Sequence, residues 1–259
     1  RATPARLTGG LATTQSLTGT SRATPARLTG GLTTTVRLTG TARGSPARLT
    51  GLAEGTPVIW RLGVIEAPEQ QVRQALAAFP RAYLLIVNTP DECVIGGEAE
   101  SISRLVTALG CRFFPLQGVT TVHCAVAEQV AGPYHDLHLF PTEAPEGVVY
   151  YSVAKGGAYE VNRESAAASI LGQALHGLNY PAVIEAAYQD GVRLFLEMGP
   201  GASCTRMIGR ILGERPHLAR SACHAGQDPV STVLKLLASL IAERVPVDLT
   251  PLFDALASA

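Results

Sequence analysis

The sequence predicts a mixed α/β (α+β) fold on two observations. Between Thr56 and Gln117, six segments follow one another as strand, helix, strand, strand, helix, strand, the order of a split βαβ or ferredoxin-like unit. Past residue 118 strands alternate with helices, and the run Val192–Gly199 is apolar enough to predict a parallel strand covered on both faces. A third pattern stands apart: residues 1–51 repeat with a period of 21 and carry no acidic residue. The predicted organisation is therefore a low-complexity segment over 1–51, a ferredoxin-like subdomain over 56–117, and an α/β part with trailing helices over 118–259.

Taken in order, "VIWRLGV" (Val58–Val64) alternates as a strand, and "APEQQVRQALAAF" places Val72, Leu76 and Phe79 on one helical face with Pro68 near the first turn. "AYLLIVN" is a buried strand ended by Thr89-Pro90. "ECVIGG" is the next strand, "SISRLVTALG" a helix with Ser101 as candidate cap and Gly110 as stop, and "CRFFPLQ" the fourth strand. A short helix through Val130, a proline-rich loop and a strand over Gly147–Val153 follow. Helices are expected over Arg163–Leu175 and Pro181–Asp190. After the apolar strand, "PGASCTRMIGRIL" turns directly into a helix, and a last helix over Pro229–Arg244 sets Val233, Leu236, Leu237, Leu240 and Ile241 at core spacing.

The front of the chain reads "RATPARLTGGLATTQSLTGTS" and then nearly repeats itself, with Leu-Thr-Gly recurring at Leu7, Leu17, Leu28, Leu38 and Leu49. A solenoid is one meaning of such a period. Each unit offers only a leucine or two among Thr, Gly and Pro, too little burial to offset the ordering entropy. The expectation is a disordered linker or a segment translated out of frame, with a basic arm as the functional alternative. The seven arginines there leave 14 basic against 21 acidic residues in the remainder, which speaks against nucleic-acid binding. No apolar run approaches a membrane span. Five widely spaced cysteines without a C-x-x-C pair fit reduced thiols, and a cytoplasmic location is expected. The start at Arg1 predicts a fragment or a processed product.

Four motifs in one order carry a resemblance. "NTPDECVIGG" supplies Asn88, Pro90, Val94, Ile95 and Gly97; "TTVHC" supplies His123 just past the predicted ferredoxin-like unit; "QALHGLNYPAVIEAAYQDGV" follows; and "EMGPG", Glu197–Gly201, enters a helix ending in "RIL". Over about 56–225 the chain resembles acyltransferases that load malonyl or other acyl groups onto acyl carrier proteins, most nearly those of polyunsaturated fatty acid synthases and iterative type I polyketide synthases. The resemblance implies that the second part of the chain is the C-terminal part of an α/β-hydrolase-like subdomain.

It also implies a chemistry. Acyl transfer from a thioester needs a nucleophile, a base and oxyanion donors. In the family a serine in a G-H-S-x-G elbow is the nucleophile and a histidine its base, which His123 matches; imidazole takes up and returns protons near neutral pH. Asn88 and Gln173 are candidate substrate-binding residues, Asn88 toward the acyl thioester or pantetheine arm and Gln173 through support of His123. No cofactor is implied beyond the acyl-CoA or malonyl-CoA substrate and the phosphopantetheine of the carrier-protein partner; other synthase domains are the further expected partners. No G-x-S-x-G occurs in the 259 residues, so the chain is expected to hold the base without the nucleophile and to be inactive alone. The alternative function is a non-catalytic carrier-protein docking or scaffold module. Cys124 beside His123 is expected to be a small packing residue, since neighbours on extended chain point apart. "HDLH" (His135, Asp136, His138) is an unsupported pair for metal binding, and "GPG" at Gly199 is a strand-to-helix turn without phosphate-loop spacing.

Overall fold

The computed structural model describes residues 58–117 and 121–257, together with two dipeptide strands in the repeat, Leu7–Thr8 (β1) and Leu28–Thr29 (β2), paired in parallel one repeat apart. The rest of the repeat, with the expectations attached to it, and Gly118–Thr120 lie outside the described residues. Packing divides the chain into two units at Val183/Ile184, where the sequence suggested a division after residue 117.

The first unit runs β3 (Trp60–Ile65), α1 (Glu69–Leu76), β4 (Ala82–Thr89), β5 (Glu92–Glu98), α2 (Ala99–Leu109) and β6 (Phe113–Pro115). A 3-10 helix (Ala125–Val130), α3 (Ala131–Leu137), the hairpin β7 (Tyr150–Ser152) and β8 (Gly157–Tyr159), α4 (Arg163–Leu175) and β9 (Leu178–Asn179) follow. The sheet order is β6-β3-β5-β4-β9. The first four strands are antiparallel to their neighbours, which is the ferredoxin-like arrangement the element order predicted. β9, which the sequence did not reveal at two residues, adds in parallel to the β4 edge.

Each face of this sheet has its own core. Ile65, Val87 and Ile95 meet Val72 of α1 and Ile102 and Leu105 of α2, all within 2% of full burial. Trp60, Leu62, Leu85 and Val94 meet Cys124 on the other face. The glycines of "VIGG" are required by this pairing. A Cβ on Gly97 would lie 2.1 Å from the Arg81 carbonyl oxygen, and one on Gly96 would lie 2.6 Å from Leu85 and 2.9 Å from Leu62. Helix α2 starts two residues earlier than its expected cap: Ser101 lies inside it and donates to the Glu98 carboxylate at 3.2 Å. Gly110 ends it in the left-handed conformation, φ 61°. Pro68 takes the N-cap of α1, directly before its first turn. Asn162 caps α4 by accepting from Glu164 N and Ser165 N, and the buried hydroxyls of Ser152 and Ser169 meet at 2.5 Å between β7 and α4.

Helix α5 (Tyr180–Gln189) carries the chain past the division, with Asn179 Oδ1 accepting from Ala182 N at its start. The second unit then runs β10 (Leu194–Pro200), α6 (Ser203–Leu212), β11 (Leu218–Cys223), α7 (Pro229–Ala242) and α8 (Thr250–Ala257). β10 and β11 pair in parallel through the α6 crossover. The expected double cover of β10 is corrected: Leu196 is 42% and Met198 74% exposed, so the face they share lies open, and β10 has one neighbouring strand among the described residues. In α7 Leu236 is buried as expected, whereas Val233 and Ile241 are exposed. α3, which lies where a proline-rich loop was expected, and β8, β9, β11 and α8 were not anticipated.

Candidate functional site

The His123 turn is held from two sides. The last carbonyls of a helix lack intrahelical partners, and α4 offers its own to this turn. The His123 N–H donates to the Ala174 carbonyl at 2.8 Å, and the ring Nδ1 meets the carbonyl of Gln173. A carbonyl can only accept, so Nδ1 carries the hydrogen and Nε2 of the neutral ring is left with its lone pair. His123 adopts φ 64°, a left-handed conformation that costs a non-glycine residue about 1–2 kcal/mol. The paired bonds to the end of α4 hold it there.

One residue on, Cys124 is the second anchor. Its backbone is extended, φ −154°, ψ 162°, and its side chain is 4% exposed among Trp60, Leu62, Leu85 and Val94. Burial pushes its thiol above the ordinary range, against a smaller downward pull from the Val126 backbone. A buried thiol with a raised pKa is a poor nucleophile, so Cys124 fastens the turn to the sheet, as its small size suggested. Beside the turn, Thr121 is buried and its hydroxyl has no partner among the described residues, as is true of the Trp60 indole N–H.

The other expected residues are placed as follows. Gln173 meets His123 through its main-chain carbonyl, so the amide side chain is not what makes that contact. Asn88 stands at the end of β4, where its Nδ2 donates to Glu92 Oε1 at 3.0 Å across the β4–β5 hairpin; Thr89 Oγ1 donates to Asp91 Oδ1 at 2.8 Å in the same turn. "NTPDE" is thus a tied hairpin. In "EMGPG", Glu197 accepts from Cys204 N, Thr205 N and Thr205 Oγ1 at 3.3, 2.7 and 2.8 Å, capping α6 from the strand before it. Burial pulls its pKa up, yet these donors outweigh burial and leave it below the usual glutamate range. In "HDLH", His138 Nδ1 meets the Tyr134 carbonyl at 2.7 Å, and no group of three or more potential metal ligands occurs among the described residues. The Ala174 carbonyl went unnoticed in the sequence; the signal was the predicted end of a helix at Leu175.

Known proteins give this geometry its context. No family model matches the chain. A polyunsaturated fatty acid synthase subunit of Thraustochytrium sp. is 24% identical over 210 residues, 75% of this chain and 10% of that protein. Among solved structures, the acyltransferase domain from the second module of the salinomycin polyketide synthase superposes with a TM-score of 0.67 at 21% identity, over 76% of this chain and 47% of that one. The chain carries the fold of an acyltransferase domain. A malonyl-transacylase solved in complex with its type II polyketide acyl-carrier protein has the same fold, with a TM-score of 0.58 at 19% identity, over 68% of this chain and 58% of the other. This chain therefore spans about half of the solved acyltransferases and a tenth of the fatty acid synthase relative. No helix among its described residues is long and apolar enough to cross a membrane.

Proposed function

We propose that the chain is the base-bearing part of an acyltransferase domain, which moves malonyl or another acyl group from CoA to the phosphopantetheine thiol of an acyl carrier protein. The observation that supports this best is the contact of His123 Nδ1 with the Gln173 carbonyl, which gives Nδ1 the hydrogen and leaves the lone pair of the neutral ring on Nε2. In the first half-reaction Nε2 takes the proton of a serine hydroxyl supplied by the remaining part of the domain, and the oxygen attacks the thioester carbonyl. The C–S bond breaks and the imidazolium returns the proton to the CoA thiolate. In the second, Nε2 takes the proton of the pantetheine thiol, the sulfur attacks the acyl-serine ester, and the serine oxygen regains the proton. The carrier protein in complex with the related malonyl-transacylase supports the choice of acceptor.

The test joins this chain to the elbow-bearing part of the salinomycin module 2 domain and follows radiolabelled malonyl transfer to a holo carrier protein. His123→Ala should lower the rate about 10²- to 10⁴-fold. Equal rates for His123→Ala and the parent would overturn the reading, and carrier binding without any transfer in the parent would favour the docking module instead.

A further inference from the structure

We propose that the hydroxyls of Ser152 and Ser169 are a positioning pair for the base: by locking α4 to the β7/β8 hairpin one turn before Gln173, they set where the end of α4 holds His123. The inference deepens the functional reading above and rests on it.

The end of one helix orients His123. The His123 N–H donates to the Ala174 carbonyl, Nδ1 meets the Gln173 carbonyl, and the 3-10 helix that follows the turn packs against α4 as well. A slide or rotation of α4 therefore moves the base. The residues that α4 buries are small: Ala167, Ser169 and Ala174. Apolar burial is non-directional, so such contacts fill space without fixing the axial position of a helix. A hydrogen bond has both a length and a direction. Ser152 and Ser169, 4% and 3% exposed, supply one between β7 and α4, with their hydroxyls 2.5 Å apart.

The pair sits where it has the most effect. Helical residues four apart share a face, so Ser169 stands one turn before Gln173 on the same side of α4. The hairpin comes close at that level too, since a Cβ on Gly172 would lie 3.1 Å from that of Ala154. Asn162 and Ser165 also tie α4, but at its first turn, about three turns from Gln173. Misplacing a reacting group by about 1 Å costs about a hundredfold in rate.

Removing one hydroxyl leaves the other buried and unpaired, whereas removing both is nearly neutral for stability. Stability and positioning are therefore separable. In urea unfolding of the full chain, Ser169→Ala should lower the midpoint, and Ser152→Ala combined with Ser169→Ala should restore it. The Nδ1–H of His123, followed by proton NMR in the same chain, should exchange with water at least about tenfold faster in both variants than in the parent. Transfer by the joined domain at saturating malonyl-CoA should fall about ten- to a hundredfold in both, with KM unchanged. A double variant with a restored midpoint and parental Nδ1–H exchange overturns the proposal, leaving the pair as packing alone. A raised KM with an unchanged rate at saturation also overturns it, because the pair would then act on substrate binding and not on the base. Should Ser169→Ala not fold, the double variant carries both readouts. The NMR measurement needs no turnover: equal transfer by His123→Ala and the parent would sink the catalytic reading, while Nδ1–H exchange still decides whether the pair positions the ring.

Discussion

Two sheets of this chain, β6-β3-β5-β4-β9 and β10-β11, show opposite degrees of completion. The antiparallel sheet of the first unit finds cover for both faces within its own stretch of chain: α1 and α2 close one side, and the Cys124 turn closes part of the other. The parallel pair of the second unit leaves Leu196 and Met198 in solvent. Hairpins and split βαβ units pair strands that are near in sequence, so a short segment can complete them, whereas a parallel sheet is assembled through crossovers and needs more chain than one β-α-β turn supplies. The base of the proposed reaction belongs to the complete sheet.

The most severe way to break that contrast is Gly97→Val. Its Cβ would fall 2.1 Å from the Arg81 carbonyl oxygen, backbone that moves only if β4 and β5 part. We expect insoluble protein, or unfolding of the first unit at denaturant concentrations that leave the parent native. A milder pair measures the contrast directly. Ile102→Ala, at a fully buried position, should cost about 2–5 kcal/mol in urea unfolding. Val233→Ala, 42% exposed on α7, should stay within about 0.5 kcal/mol. Equal effects at the two positions would mean that the two units are packed alike.

The next effect is smaller and depends on pH. Glu197→Gln removes a charged cap from α6 and should destabilise the second unit by about 1 kcal/mol at neutral pH. Its folded pKa lies below the ordinary value near 4.5, as does that of Glu185, which the Arg215 guanidinium holds down. A lowered carboxylate contributes stability that is fully present above its unfolded pKa and is lost as the pH falls through the folded one. Thermal unfolding from pH 7 downward should therefore converge for variant and parent in the acid range. A constant gap at all pH values would mean that the cap does not act through its charge.

Legibility in the sequence followed the same division. The ferredoxin-like order could be read because each of its elements is bounded by a local signal, such as Gly110 ending α2 or Thr89-Pro90 ending β4. β9 and β11 were invisible for a physical reason: "LN" is too short for any period, and "LARSAC" has no alternation of its own and is a strand only because β10 lies beside it. His123 was found by its place after the fourth strand. Its partner was found as a residue but not as an atom, since residue types advertise side chains and the contact uses a main-chain carbonyl. Asn88 shows the converse: its amide was expected to face substrate and is engaged by Glu92, four residues away.

That distinction between atom and residue yields the smallest predicted effect. Gln173→Ala keeps the carbonyl that receives His123 Nδ1, and alanine favours a helix at least as well as glutamine does. Stability should change by no more than about 0.5 kcal/mol, and transfer by the joined domain should stay within about twofold. The Nδ1–H of His123 should remain in slow exchange in its proton NMR spectrum, because the acceptor is unchanged. If the variant loses tenfold or more in transfer while that resonance is retained, the side-chain amide of Gln173 meets the substrate itself. The residue would then serve twice, holding the base with its backbone and the acyl chain with its side chain.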